Sequence, residues 1–237
     1  MRIKPTVPLR ARTCVGSGGL SAAPLDAYSL EFRMLDGLGK LVSSHRGLTS
    51  RLLGIAFLFT VLIMENAHEG SLLSAILFLV GLVLVGAATV GRLWCSLYIS
   101  GYKDSGLITT GPYSITRNPL YFFSSLGFVG IGFATETVTL GLALALIFLL
   151  VYLPVIKREE ERLRLKFGAT FDAYCACTPR FLPNLSKFTE PVSYVVNPRI
   201  FRNTLGEVIW FVGFVGIIKI AQVLHEHQIL KPLVWLP

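Results

Sequence analysis

The sequence predicts an all-α polytopic membrane protein, a helical bundle of about five transmembrane helices, and three observations carry that prediction. Hydrophobic residues make up 53% of the 237 positions and charged residues only 15%, an apolar share above that of soluble domains. Apolar runs long enough to cross a bilayer recur along the chain. Lys and Arg, whose excess gives a formal net charge of +8, collect in alternate connections between those runs. A charge of this size would also suit nucleic acid, but here the cations flank apolar spans, where they orient the chain and meet anionic headgroups. The partner they imply is a membrane surface, with no nucleic acid.

In chain order, residues 1–45 are read as an N-terminal tail, largely disordered or interfacial. Met1 to Asp26 has Arg, Lys, Ser and Gly, no acid before Asp26 and no continuous apolar core, so it is not a secretory signal peptide, and its prolines disfavour an organelle transit helix. Leu30, Leu35, Leu38 and Leu41 or Val42 have helical spacing with Arg33, Asp36 and Lys40 between them, which predicts a helix lying along the interface. Met34 is a candidate alternative start. A spanning helix needs roughly 17–25 residues, and the runs that meet or approach this are Gly47 to Asn66, Ser71 to Leu93, Pro119 to Ala134, Thr137 to Ile156 and Leu205 to Leu224. The third is short, but it starts at a proline suited to a first helical position. Its Ser124, Ser125, Gly127, Gly130 and Gly132 permit close helix approach. Thr135-Glu136-Thr137 is a tight turn, so the third and fourth helices should form an antiparallel hairpin. The organisation expected is 46–93 for the first two spans, 94–183 for a core built on the hairpin, and 184–237 for a C-terminal extension with the fifth span.

Orientation follows from the cations. Arg46 and Arg51, then Lys103 and Arg117, then Lys157 through Arg202 mark three cytoplasmic segments, whereas Glu65 to Gly70 and Thr135 to Thr137 carry no Lys or Arg. The C-terminus then lies outside. Cys175 and Cys177 fall on the reducing side, and with Cys14 and Cys95 they show no zinc-finger spacing, so neither disulfides nor a structural metal are expected. His225-x-His227 reads as a solvated pair. Lys219, inside the fifth span, either snorkels or faces a cavity.

Two segments carry the chemistry. In "GPYSITRNPLYFF", Gly111 to Phe123, the Gly-Pro pair imposes a turn, Pro119 drives Asn118 towards extended backbone, and the missing proline N–H leaves a carbonyl unpaired. Irregular backbone at membrane depth is tolerated where it is buried in protein or lines a cavity. Arg117 there suits a carboxylate as well as it suits a lipid phosphate. In "IKREEERLRLKFGATFDAY", Ile156 to Tyr174, a charged helix continues the fourth span, with Glu160 and Arg164 spaced as an i,i+4 pair and Gly168 as its stop. By itself this reads as a solvated helix. The hairpin, however, brings Glu159 and Glu160 out at the same depth as Arg117 to Tyr121.

Together the two segments resemble the GxYxxxRHPxY and paired-acid signatures of the isoprenylcysteine carboxyl methyltransferase and phospholipid methyltransferase superfamily. Arg92, Trp94 and "TPRFLP" at Thr178 to Pro183 are similar too, so the resemblance covers roughly residues 92–183. It implies a cytoplasmic-face pocket for S-adenosyl-L-methionine, with Tyr113, Asn118, Pro119, Tyr121, Glu159 and Glu160 binding the cofactor and Arg117 orienting an acidic acceptor. The acceptor implied is a lipid or lipidated amphiphile reached from the bilayer. Phospholipid amine or thiol methylation, an NADPH-dependent sterol or enone reductase, and a non-catalytic scaffold are the competing readings. The chain departs from the signature at Asn118, where the family carries His, an exchange that keeps a donor and an acceptor but removes a titratable group. Residues after Pro183 have no counterpart in that core.

Overall fold

A computed structural model describes residues 46–66, 71–100, 106–194, 196–230 and 234–236. The tail, the interfacial helix expected within residues 30–42, and Lys103 lie outside them. The elements are α1 (Arg46–Ile63), β1 (Met64–Asn66), α2 (Leu72–Ile99), α3 (Pro112–Ile115), α4 (Pro119–Phe133), α5 (Val138–Phe167), α6 (Ala169–Cys177), a 3-10 turn at Leu185–Lys187, α7 (Pro198–Glu226) and β2 (Val234–Leu236). The protein is an all-α membrane bundle with one small addition. Helix α2, α5 and α7 are long and apolar enough to cross a bilayer, and Gly54–Ile63 and α4 are shorter apolar helices. Leu79 and Val83 on α2, Leu146 and Leu150 on α5, and Ile209, Trp210 and Val212 on α7 are exposed, as lipid-facing side chains are.

Helix α2 packs along α4 and α7, and α4 along α5. Glycine sets the α2–α4 approach: a Cβ on Gly130 would lie 2.8 Å from the Gly81 carbonyl oxygen, and one on Gly81 would lie 2.6 Å from the Ala134 nitrogen. No side chain fits there, because the obstacle is backbone. Helices α4 and α5 are antiparallel about a turn in which Thr135 and Thr137 hydroxyls meet and Glu136 takes a positive φ of 63°. Contacts march in opposite directions along the pair, from Gly132 against Gly141, through Phe128 beside Phe148, to Tyr121 beside Tyr152.

The two ends of the bundle differ. At the end holding the α4–α5 turn, Val61, Val85, Ile131, Ala134, Val215, Ile218 and Ala221 form a buried core. Lys219 pairs with Glu136 and lies over the Phe78 ring, so it neither snorkels alone nor faces an empty cavity. His225 is not solvated as the HxH spacing suggested: it is 5% exposed, and its Nε2 lies 3.0 Å from the Leu62 carbonyl oxygen at the end of α1. The run read as continuing to Asn66 stops at Ile63, because residues 64–66 instead pair in parallel with residues 234–236. Helix α7 starts earlier than the apolar run did, at Pro198, because Asn197 caps it by accepting from the Arg199 and Ile200 N–H groups. The opposite end gathers residues 106–118, the charged half of α5, α6 and residues 178–190.

Candidate functional site

The irregular entrance to α4 is held by backbone pairing with a distant segment. Gly111 adopts a φ of 60° and lies so close to Tyr98 that a Cβ would meet the ring at 2.3 Å, so this turn requires glycine. After the single turn of α3 the chain extends through Thr116. The Arg117 N–H donates to the Pro179 carbonyl at 2.8 Å, the Thr116 hydroxyl to the Phe181 carbonyl at 3.0 Å, and the Asn184 N–H to the Ile115 carbonyl at 2.9 Å. "TPRFLP" is therefore laid against "SITRNP". Asn118 is kept out of the helical region, with φ −124° and ψ 53°. Its ψ falls short of the fully extended value that the following proline favours, because its side chain is committed to partners across the hairpin.

Those partners define the site. Asn118 Nδ2 donates to Glu160 Oε1 at 2.9 Å and to the Arg180 carbonyl at 3.0 Å. Arg180 donates from Nε and Nη2 to Glu160 Oε2 at 3.0 and 2.6 Å. Arg117 Nη1 lies 3.7 Å from Glu160 Oε1. Glu160 is only 3% exposed, so its carboxylate faces inward against two guanidinium groups and an amide. Leaving such a buried charge without its partners costs about 3–5 kcal/mol, which makes the cluster a fixed unit. The Arg180 guanidinium is held above its ordinary value by its hydrogen bond to Glu160.

The i,i+4 pair expected between Glu160 and Arg164 does not form. Gly168, at φ 51°, turns the chain back into α6 and delivers Asp172 to Arg164 at 2.8 Å, leaving Glu160 for the interior. Glu159 points another way, half-buried and paired with Arg162 at 2.7 Å. Pro119 and Asn118 stand beside Glu160 at the foot of α4. Tyr121 faces Tyr152 on α5 in an aromatic file with Phe128 and Phe148. The Tyr113 ring packs against Cys95 and Tyr98 of α2, while its carbonyl accepts from the Tyr174 hydroxyl at 2.7 Å. Burial pushes the Tyr174 phenol up, with Arg117 pulling the other way, so it keeps the proton that it donates.

Sequence reasoning gave Arg180 no role. "TPRFLP" carried the signal, but only the pairing of residues 115–118 with 179–184 gives its arginine a partner. The extension after Pro183 also touches this end. The Thr189 carbonyl accepts from the Gly111 N–H at 2.7 Å, the Ser114 hydroxyl accepts from the Thr189 N–H at 3.0 Å, and the Tyr98 hydroxyl donates to Glu190 at 2.9 Å.

The cluster's chemistry is that of an anion site beside an acidic one. Arg117 Nε is buried without a hydrogen-bond partner among the described residues, so a donor waits beside Glu160 for an acceptor oxygen. Among the described residues no group of three His, Cys, Asp or Glu side chains could hold a metal ion.

Residues 71–170 match the family model described as "Phospholipid methyltransferase", a range that runs from the start of α2 through the Asn118 and Glu160 pair. The chain belongs to the isoprenylcysteine carboxyl methyltransferase and phospholipid methyltransferase superfamily. It is thus a membrane protein of a methyltransferase family. It is 38% identical over 215 residues to the nickel-cobalt-cadmium resistance protein NccN of Alcaligenes xylosoxydans xylosoxydans, covering 91% of this chain and 94% of that one. It is 35% identical over 199 residues to the cobalt-zinc-cadmium resistance protein CzcN of Cupriavidus metallidurans, covering 84% and 92%. Neither of these names states a reaction or a substrate. No solved structure matches the chain closely enough to carry a comparison.

Proposed function

We propose that this member of the superfamily transfers a methyl group from S-adenosyl-L-methionine to a carboxylate of a membrane-embedded amphiphile, from the cytoplasmic end of the α4–α5 hairpin. The observation that carries the reading is the Asn118, Glu160, Arg180 and Arg117 cluster with its orphaned Arg117 Nε. The residues fit the groups involved. Glu159, partly exposed next to the buried Glu160, suits the amine or ribose hydroxyls of the cofactor through a charge-assisted bond contributing about 1.5–3 kcal/mol, while carbonyls near Pro119 would face adenine. When bound, the cofactor supplies a methyl group on a sulfonium, so that a carbon–oxygen bond forms as the carbon–sulfur bond breaks and no proton need be removed from a carboxylate.

The chain's own residues then act by positioning and by excluding water. Arg117 Nε–H holds one oxygen of the acceptor's carboxylate. Asn118 and Arg180 keep Glu160 in place, and Asn118 suffices where the family carries His because no group there has to change charge. Pro119, fully buried, and Tyr121, set against Tyr152, brace the foot of α4 beside this cluster, and Tyr113 does so through its carbonyl bond to Tyr174. The resistance names of the two relatives suggest a setting in metal-exposed cells, with modification of an envelope amphiphile as this chain's contribution.

Ligand binding by the purified protein in detergent separates the competing readings. S-adenosylhomocysteine should bind and NADPH should not. NADPH binding would replace this reading with the reductase one, and binding of neither would leave a scaffold.

A further inference from the structure

A second set of orphaned donors lies deeper in the bundle, along the seam between α2 and α4. Tyr113 reaches from α3 into this seam and packs on Cys95 and Leu120. It is 8% exposed, and its hydroxyl has no hydrogen-bond partner among the described residues. Arg92 stands one helical turn from Cys95 and Ser124 one turn from Leu120, so both occupy the next level of the same seam. Arg92 donates from Nη1 to the Ser124 hydroxyl, from Nη2 to Glu207 Oε2 of α7 at 3.3 Å, and lies over the Phe211 ring. Its Nε is buried and, like the Tyr113 hydroxyl, unpartnered among the described residues.

The Arg92 Nε–H is donor-only on a fixed positive charge and the Tyr113 hydroxyl keeps a proton to donate, and no bond joins the two, so an acceptor oxygen between them would satisfy both. Glu207 does not fill this need. Its side chain is 68% exposed, and it touches Arg92 only at Nη2. A charged residue inside a spanning helix is costly unless it serves a pathway or a ligand.

We propose that Arg92 and Tyr113 form an anion-binding pocket at membrane depth that takes the acidic oxygen, carboxylate or phosphate, of an amphiphile arriving between α2 and α7, with Glu207 as its displaceable counter-charge. The pocket does not depend on which cofactor the Glu160 cluster holds, and the Tyr174 hydroxyl meets the Tyr113 backbone carbonyl rather than its phenol. Because Arg92 lies within a membrane-spanning helix, the pocket selects molecules with an apolar anchor.

The test is saturable binding to the full-length protein in a neutral detergent, read by native mass spectrometry and by thermal shift. The probes are oleate, phosphatidate and inorganic phosphate. Oleate or phosphatidate should bind, with inorganic phosphate at least tenfold weaker. Arg92→Gln should weaken lipid binding at least tenfold and Tyr113→Phe about threefold or more. Glu207→Gln should tighten it by about threefold, since the competing carboxylate is gone. Tyr113→Phe removes a hydroxyl with no partner, so its melting temperature should not fall; a variant that keeps its stability yet loses the ligand cannot be explained by misfolding. Unchanged lipid binding in both Arg92→Gln and Tyr113→Phe overturns the proposal, as does weaker binding in Glu207→Gln. Equal affinity for inorganic phosphate overturns the amphiphile. All of these readouts stand whether or not S-adenosylhomocysteine binds.

Discussion

Asn118 Nδ2 lies 2.9 Å from Glu160 Oε1 across the α4–α5 hairpin, and its second proton goes to the Arg180 carbonyl at 3.0 Å. One amide thus ties three chain segments at the foot of α4. Asn118→His keeps one donor on one ring nitrogen, so one of the two bonds survives; S-adenosylhomocysteine affinity should stay within about tenfold, roughly 1.4 kcal/mol. Asn118→Asp sets a second carboxylate against Glu160 in a buried place, and the melting temperature should drop by an amount equivalent to about 3–5 kcal/mol. An aspartate variant as stable as the parent would mean that the contact is not maintained in the protein.

The two adjacent acids should separate experimentally. Glu160→Gln leaves Arg117 and Arg180 facing a neutral amide, so stability and cofactor affinity should both fall, the former by about 3–5 kcal/mol. Glu159 makes only a half-exposed pair with Arg162, worth about 0–1 kcal/mol. Glu159→Gln should therefore leave the melting temperature nearly unchanged while weakening S-adenosylhomocysteine. Unchanged affinity in Glu159→Gln would remove that residue from the cofactor site.

This asymmetry marks where the sequence stopped being legible. The spans, the hairpin and the depth at which Asn118 meets the acids follow from apolar run lengths and the short Thr135 to Thr137 turn, because helix rise is fixed. Which acid faces inward does not follow. Spacing alone favoured Glu160 with Arg164, but a backbone reversal at Gly168 hands Arg164 to Asp172. Arg180 was hidden for a related reason: its role depends on the alignment of residues 179–184 with 115–118, a pairing of irregular segments that no periodicity announces. His225 was misread because its partner, the Leu62 carbonyl, comes from a helix end 163 residues away.

The orientation assigned from the cations has its own test. Ser186 lies exposed at the end that carries the Glu160 cluster, and Gln228 lies just beyond α7 at the other end. In right-side-out vesicles an impermeant thiol reagent should label Gln228→Cys and spare Ser186→Cys. Cys175 and Cys177, outside any disulfide and on the Ser186 end, should add no external signal. The opposite labelling pattern would place the cluster outside the cell membrane and exclude a cytosolic supply of cofactor.

Alkaline stability should report on Tyr174. Its hydroxyl donates to the Tyr113 carbonyl, and burial is the main cause that pushes the phenol above its ordinary value near 10. An unfolded tyrosine loses its proton around pH 10, whereas the folded one retains it, so above that pH the folded state binds more protons and stability falls as pH rises. The contribution is complete below about pH 10 and is lost as pH climbs towards the folded value. Tyr113 titrates in the same sense, so Tyr174→Phe should make the decline shallower without abolishing it. The same variant leaves the Tyr113 carbonyl unpaired and should lose about 1 kcal/mol at neutral pH. Melting temperatures of parent and variant between pH 7 and 11 would show the gap at neutral pH and its narrowing at the alkaline end. Curves that stay parallel throughout would mean that the Tyr174 proton is not held by burial in this fold.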